Sequence, residues 1–489
     1  MTGFLIFWPL AASLALFVLR PKNAKVLALV ASLVELLASL WAMFIMDRSG
    51  AVQLVIRTPW IASLGVDFYV GMDGISLLLV LLTTGLVPLI ILSSFNHPYQ
   101  KPYTFYGLVL LMQMALVGVF TARDGFLFYI FWEMALIPIY FICLIWGGKD
   151  RARVTLKFFI YTLAGSLLML VGLIFLYYHT PIAHTFNIHA LYNAGRKMQP
   201  MKQAFVFWMF FIAFAIKMPI FPFHSWQPDT YTEAPVPGTM LLSGIMLKMG
   251  IYGLIRWLIP VVPMGVARWG FTVIVLSVIG IVYASCIAMV QKDFKRLIAW
   301  SSIAHVGLIS AGVLTVSKIG MQGAVIQMMS HGLTVFALFY IVDIIFERTK
   351  TRALAELGGI RNVAPGLATV FTIVMLGSIA LPFTSGFVGE FLLINSLVKY
   401  RVALGVMAGL TTILGAVYMF RAFQGTMLGA TNTITQTFSD LTLREKTVLY
   451  PVVALIVLIG VYPAPLMSLS ESAVNNLLSI VTNLTPSLK

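Results

Sequence analysis

The chain has 489 residues, of which 60% are hydrophobic and 10% charged, and its mean hydropathy is +0.96. Soluble domains carry about 25% charged and 45–50% apolar residues, so a soluble multidomain enzyme is excluded; at about 20 apolar residues per crossing, the material suffices for about 14 membrane helices. The formal charge of +15 would suggest nucleic acid in a soluble protein, but in a membrane protein it reports topology, because Lys and Arg collect in cytoplasmic loops.

In chain order, apolar runs predict helices at about 3–19, 26–46, 74–95, 104–121, 125–146, 154–178, 203–223, 239–259, 269–290, 297–316, 320–346, 367–398, 403–423 and 446–468. The sequence enters the first run without a basic leader or a clear cleavage site, which reads as a retained helix. Pro219 and Pro222 break the seventh run near its end. The twelfth is too long for one straight span and is interrupted by Pro382, Gly386 and Gly389. Backbone groups freed at membrane depth must be met by protein or water, so broken helices usually line a polar cavity. One such helix in each half is the pattern of inverted-repeat transporters; two packing kinks are the alternative.

Lys and Arg are more numerous after odd-numbered runs, among them Arg20, Lys149, Arg151, Lys292, Lys295, Arg296, Lys350 and Arg352. That bias places the odd loops in the cytoplasm and both chain ends on the periplasmic side. After the fourteenth run, 473–484 reads either as a short interfacial amphipathic helix or as a frayed tail. The two cysteines, Cys143 and Cys286, lie inside apolar runs, which excludes a disulfide framework and a Cys-ligated iron–sulfur cluster. With no CxxCH, Walker or GxGxxG motif, this chain is expected to hold no redox cofactor of its own, and the histidine spacing supports no metal site.

The informative residues are ionisable groups inside the runs, each costing about 2.5–3.5 kcal/mol at a helix centre and each by default a functional candidate. They are Glu35, Glu133, Lys217, Lys248, His305, His331 and Glu390. Glu133 lies mid-span in the fifth run, Lys217 immediately precedes the break in the seventh, Lys248 is deep in the eighth, and Glu390 follows the break in the twelfth. Opposite charges at membrane depth argue for a Glu133–Lys217 ion pair, with Lys217, Lys248, His305, His331 and Glu390 forming a hydrated row that relays protons; structural salt bridges locking helices together are the alternative. Glu35 can snorkel or pair locally and stands outside this row. His224, at the broken end of the seventh run, is assigned a linking role. His97, His179, His184 and His189 lie near run ends or in loops, where a solvated role fits.

The motifs that surround these residues are specific. ARDGFLFYIFWEMALIPIYF at 122–141, IAFAIKMPIFPFHSWQPDTYTEAPVPGTMLLSGIMLKMG at 212–250, DFKRLIAWSSIAHVGL at 293–308, GAVIQMMSHGL at 323–333 and LPFTSGFVGEF at 381–391 resemble the antiporter-like membrane subunits of respiratory complex I, NADH:quinone oxidoreductase. The wider superfamily includes the L, M and N subunits, Mrp-type cation/proton antiporters and membrane-bound hydrogenases. Glu390, where L and N types usually carry Lys, and the absence of a long lateral helix after the fourteenth run both resemble the M type, the counterpart of mitochondrial ND-four. One departure is Tyr231, where many M-type chains have a second histidine.

The resemblance implies an all-α polytopic fold of about 14 transmembrane helices with two inverted five-helix repeats. The segments would be 1–103 (helices 1–3), 104–260 (first repeat, helices 4–8), 261–425 (second repeat, helices 9–13) and 426–489 (helix 14 and tail). It implies Glu133 and Lys217 as a switching ion pair, Lys248 as the central relay, His305 and His331 as bridges, and Glu390 as the terminal group. It further implies that FMN, iron–sulfur clusters and quinone sit in partner subunits, that L-type and N-type subunits flank the chain in a bacterial inner membrane, and that no nucleic acid is bound. A subunit of an Mrp-type antiporter or of a membrane-bound hydrogenase is the alternative.

Overall fold

The computed structural model describes residues 1–181 and 184–482, and helices dominate it. Twelve described helices are long and apolar enough to cross a membrane; Leu443–Val461 and Ala464–Val481, bent by 69° at their junction, make a thirteenth if counted as one span. The predicted twelfth run is two shorter helices, Pro365–Ser378 and Ser385–Tyr400. Helix starts follow their side chains: Asp73, Asp124, Asp293 and Ser317 each accept backbone N–H groups of the turn they precede, which satisfies donors that a helix leaves orphaned.

Burial sorts the spans into a centre and a periphery. Val236–Leu258 is buried along its whole tested length, and Phe294–Val313 and Lys318–Thr349 along 94%. By contrast Thr2–Leu19, Ala24–Ile45 and Val402–Met427 are buried along only 33–39%, and their exposed faces carry residues such as Phe7, Leu37, Phe44 and Ile413. A helix apolar all round belongs in the interior of a bundle or against lipid; here both kinds occur, and Lys248, His305 and His331 lie on the first.

Connections alternate between two faces. Residues following the third, fifth, seventh, ninth and eleventh predicted runs (His97, Gly148, Glu233, Lys295 and Arg352 among them) line one cavity of about 390 Å3. Residues following the second, fourth, sixth and fourteenth (Val52, Arg123, His189 and Asn476) line another of about 330 Å3, with Asp73 and Arg256.

Two elements were not expected from periodicity, and a third is longer than the tail helix read at 473–484. Residues 53–72 form an antiparallel hairpin, Gln53–Ile61 with Val66–Met72, whose Gly65 adopts φ +59°. A Cβ there would also meet the His184 carbonyl at 2.1 Å, so both conformation and space demand glycine. Ile188–Lys197 forms a short helix in the connection before the seventh span. Beyond the bend, Ala464–Thr482 is one helix packed on Gly74–Ser93 and Lys318–Thr349. Ala473, Val474, Leu477 and Val481 are buried, so 473–481 is held by protein and not frayed; 483 and 484 of the predicted tail element lie outside the described residues.

Candidate functional site: a buried polar row

Each break is explained by its own residues. In the fifth span the helix Gly125–Met134 stops at Ala135 and resumes as Leu136–Trp146. Pro138 has no N–H for the Met134 carbonyl and crowds it, which places the interruption beside Glu133. In the seventh span Pro200–Lys217 ends before Pro219. The freed carbonyls find partners nearby: Ala215 O accepts from Ile220 N at 2.9 Å, and Ile216 O accepts from the Trp226 indole at 2.9 Å. In the twelfth span residues 379–384 bridge the two helices, and a Cβ at Gly386 would lie 2.1 Å from the Gly377 carbonyl.

The helix Val236–Leu258 is irregular on both sides of Lys248. Residues Leu242–Met246 and Leu254–Leu258 are π turns, a form found mostly as single-turn bulges and frequently at functional sites. In the first, Leu247 N–H reaches Leu242 O at 3.1 Å in place of the Ser243 carbonyl it would meet in a regular helix. That carbonyl accepts from Lys248 Nζ at 2.8 Å.

From Lys248 a row of contacts runs across three helices. Lys248 Nζ is 2.9 Å from His331 Nδ1, and His331 Nε2 is 3.1 Å from Ser302 Oγ. The His331 and His305 rings have centroids 5.9 Å apart, too far for a direct hydrogen bond. Between them lies a cavity of about 10 Å3, lined by both histidines, Ser301, Gln327, Ser330, Thr334 and Ser378; that is about the room, and the polar lining, that one water requires. His305 Nδ1 is 2.8 Å from Glu390 Oε1, which also accepts from Gln327 Nε2 at 3.2 Å, while Glu390 Oε2 accepts from Thr412 Oγ1 at 3.4 Å. Lys248, His305, His331 and Glu390 are all buried.

The other end of the row is looser. Among the described residues no Glu133–Lys217 contact falls within 4.0 Å, so the expected ion pair is not formed; Lys217 Nζ instead lies 5.4 Å from the centroid of the Trp132 ring, a cation–π placement. Glu133 is half-buried and its Oε1 has no hydrogen-bond partner. The lysine-bearing helices nevertheless touch: a Cβ on Gly250 would stand 2.8 Å from Phe214 O and 2.9 Å from Met218 Cβ. His224 is buried against Phe221, Tyr283 and Trp300 with Nδ1 unpartnered, apart from the contacts of the row. Glu35 is fully buried with both carboxyl oxygens unpartnered, so it does not snorkel.

Several buried charges escaped sequence reading because they sit at run ends. Asp73 pairs with both Arg123 (3.1 Å) and Arg256. Burial alone would raise its pKa, but Arg256 and Arg123 outweigh that and hold the carboxyl well below the usual carboxylate range. His97, expected to be solvated, is clamped between Asp343 Oδ2 at 3.0 Å and Glu347 Oε1 at 3.1 Å. Lys295, counted as a loop cation, is buried and donates to the Ala234 and Thr232 carbonyls at 2.6 and 3.3 Å.

Residues 122–415 match the sequence family described as NADH:quinone oxidoreductase/Mrp antiporter, and residues 4–121 match the amino terminus of NADH-ubiquinone oxidoreductase chain 4. The NADH-quinone oxidoreductase subunit M of Rickettsia conorii is 39% identical over 483 residues, covering 97% of each chain. That of Rhodobacter capsulatus is 37% identical over 491 residues, 96% of this chain and 95% of the relative. A chain of respiratory complex I from Thermus thermophilus superposes with a TM-score of 0.91 at 29% identity, covering 99% of this chain and 100% of that one. A chain of the Mrp complex from a Dietzia species reaches 0.87 at 21% identity, over 100% and 99%, a likeness of fold alone.

Proposed function

The chain belongs to the antiporter-like membrane subunits of NADH:quinone oxidoreductase, in the M-subunit branch, and we propose on that premise that it translocates protons through the Glu133, Lys217, Lys248, His331, His305 and Glu390 row. In this reading it is a translocase subunit without a redox centre, set in a bacterial inner membrane with both termini periplasmic, between L-type and N-type neighbours. FMN, iron–sulfur clusters and quinone belong to partner subunits, and quinone reduction there drives the proton movement here.

The observation that carries the reading is the connected segment from Lys248 to Glu390. A purely structural cation is best served by a carboxylate in contact; Lys248 instead faces a carbonyl and an imidazole, groups that do not cancel its charge. An ammonium there can hand a proton to His331 Nδ1 along a 2.9 Å contact. The cavity between the histidines supplies the next step by a water, and the His305–Glu390 contact the last. Buried charges with no countercharge are expensive, so protonation of Lys248 is tied to what its neighbours carry, which is the property a gated relay needs. Moving one charge across 100 mV takes about 2.3 kcal/mol, within reach of a change in pairing inside a poorly polarisable site.

The test uses the whole complex in inverted membrane vesicles. Lys248→Met and Glu390→Gln, normalised to the amount of assembled complex, should lower NADH-driven proton uptake by about 10²-fold or more, the loss expected when a proton-transfer group is removed. Wild-type pumping in both variants would overturn the reading.

A further inference from the structure

The cavity of about 390 Å3 on the odd-loop face belongs to no part of the row described above, yet its most buried charged group, Lys295, leads there. Its lining includes His97, Glu233, Ala234, Lys295, Asp343 and Glu347. Lys295 stands at the first turn of Phe294–Val313, and its amine is bound by backbone carbonyls of the segment that follows the broken seventh span. Carbonyls offer hydrogen bonds and no countercharge, as at Lys248.

From that amine a ladder of hydroxyls continues inward. The Ala234 carbonyl, 2.6 Å from Lys295 Nζ, is also 3.5 Å from Thr239 Oγ1. Thr239 Oγ1 donates to Tyr231 O at 2.9 Å, Ser243 Oγ donates to Thr239 O at 2.7 Å, and Ser243 O receives Lys248 Nζ at 2.8 Å. Beside this ladder the Tyr231 hydroxyl and both amide atoms of Gln227 are buried with no hydrogen-bond partner. Buried polar atoms without partners mark where water belongs. A second line runs parallel: Ser302, the partner of His331, lies two turns beyond Lys295 on one helix face, about 10 Å along the axis.

We propose that Lys295 is the first protonatable group of a proton-uptake route that opens at this vestibule and reaches Lys248 past Thr239 and Ser243. The inference rests on the reading of the row as a proton relay and adds the side from which the row is filled. In the step proposed, a hydronium in the vestibule gives its proton to the neutral Lys295 amine. The resulting ammonium passes one proton through water held by the two hydroxyls to the neutral Lys248 amine. One proton moves at each transfer, no other bond changes, and no electron is exchanged. Asp343 and Glu347, the carboxylates on either side of His97, put negative charge in the vestibule lining, which Lys350 and Arg352 share.

A structural cation and a relay respond differently to substitution. Lys295→Arg keeps the positive charge and the carbonyl bonds, but a guanidinium does not release its proton. Lys295→His keeps a group that titrates. In vesicles carrying the whole complex, normalised to assembled complex, Lys295→Arg should pump about tenfold less than wild type, and Lys295→His should recover part of that loss. Normal pumping by Lys295→Arg overturns the route. If the arginine variant fails to assemble, Thr239→Val decides: it exchanges a hydroxyl for a methyl at equal size, a several-fold loss is expected, and normal pumping overturns the route. Lys248→Met in the same vesicles separates the two ideas. Inactive Lys248→Met with active Lys295→Arg refutes only the uptake route; active Lys248→Met refutes the relay itself.

Discussion

Gly250→Ala tests whether the close approach of the two lysine-bearing helices matters. Carbon atoms in contact rest about 3.5–4.0 Å apart, whereas the new methyl would stand 2.9 Å from Met218 Cβ and 2.8 Å from the Phe214 carbonyl. Both neighbours are held by backbone, so the helices must separate by about 0.6 Å at the crossing. Overpacking of this kind costs about 1–3 kcal/mol. The substitution also gains about 0.8–1.0 kcal/mol of helix propensity, which would hide part of the loss. Gly85→Ala is the matched control: Gly85 lies inside the helix Gly74–Ser93, and nothing stands within 4 Å of its Cβ position. The propensity gain is common to both, so the difference between the two variants isolates the packing cost at about 1–3 kcal/mol. Heating solubilised complex through a temperature series and measuring what remains assembled gives the comparison. Gly250→Ala should lose assembly at lower temperature than Gly85→Ala and should also pump less, because Lys248 is two residues from the displaced crossing. Equal melting and equal pumping of the two variants would refute the reasoning.

Two further outcomes are expected. Asp73→Asn retains the oxygen that accepts from Ser76 N at 3.1 Å but leaves Arg123 and Arg256 buried without a countercharge. Breaking one side of a buried ion pair costs about 3–5 kcal/mol, so the variant should assemble poorly on native gels, and Arg256→Met added to it should restore part of the yield. For His97, burial alone would lower the pKa, but Asp343 and Glu347 outweigh burial and the opposing Lys350 and raise it. A cation whose folded pKa is raised is stabilising below its unfolded value, about 6.5, and loses that contribution as pH rises through the folded value. The thermal stability of wild type should therefore exceed that of His97→Gln at pH 6, and the gap should shrink as pH rises; a gap independent of pH would sink the assignment.

What the sequence disclosed follows from how membrane insertion filters residues. An ionisable side chain in the middle of an apolar run stands out against its neighbours, so Lys248, His305, His331 and Glu390 were all visible, and their mutual contacts are the strongest link between sequence and site. Residues at run ends carry no such contrast. Lys295 and Asp73 look like loop charges because hydropathy changes sign there, and only tertiary packing reveals that both are buried. The π turns around Lys248 were equally hidden, since LSGIM and LIRWL have no helix breaker and their widening is a response to neighbours. Proline made the seventh and twelfth breaks legible, and the Ala135 break was signalled by Pro138 four residues after the carbonyl it offends. The Glu133–Lys217 pair failed as a contact because sign complementarity says nothing about distance, and Trp132, an unremarked aromatic in an aromatic-rich span, occupies the position beside the lysine. The hairpin 53–72 fell in a stretch with no helical period, and Thr58 to Pro59 and Gly65 broke any strand alternation that would have announced it.

The three spans that hold Lys248, His305 and His331 are almost wholly enclosed by the rest of the chain. Any charge shifted among them is sheathed by the chain's own outer helices, which keep headgroup fields and acyl-chain composition at a distance. Whatever surrounds the chain, bilayer or neighbouring subunit, meets helices such as Thr2–Leu19, Ala24–Ile45 and Val402–Met427 first, because their faces are largely exposed. On the proposed reading, most of this long apolar sequence is insulation around a relay a few side chains wide.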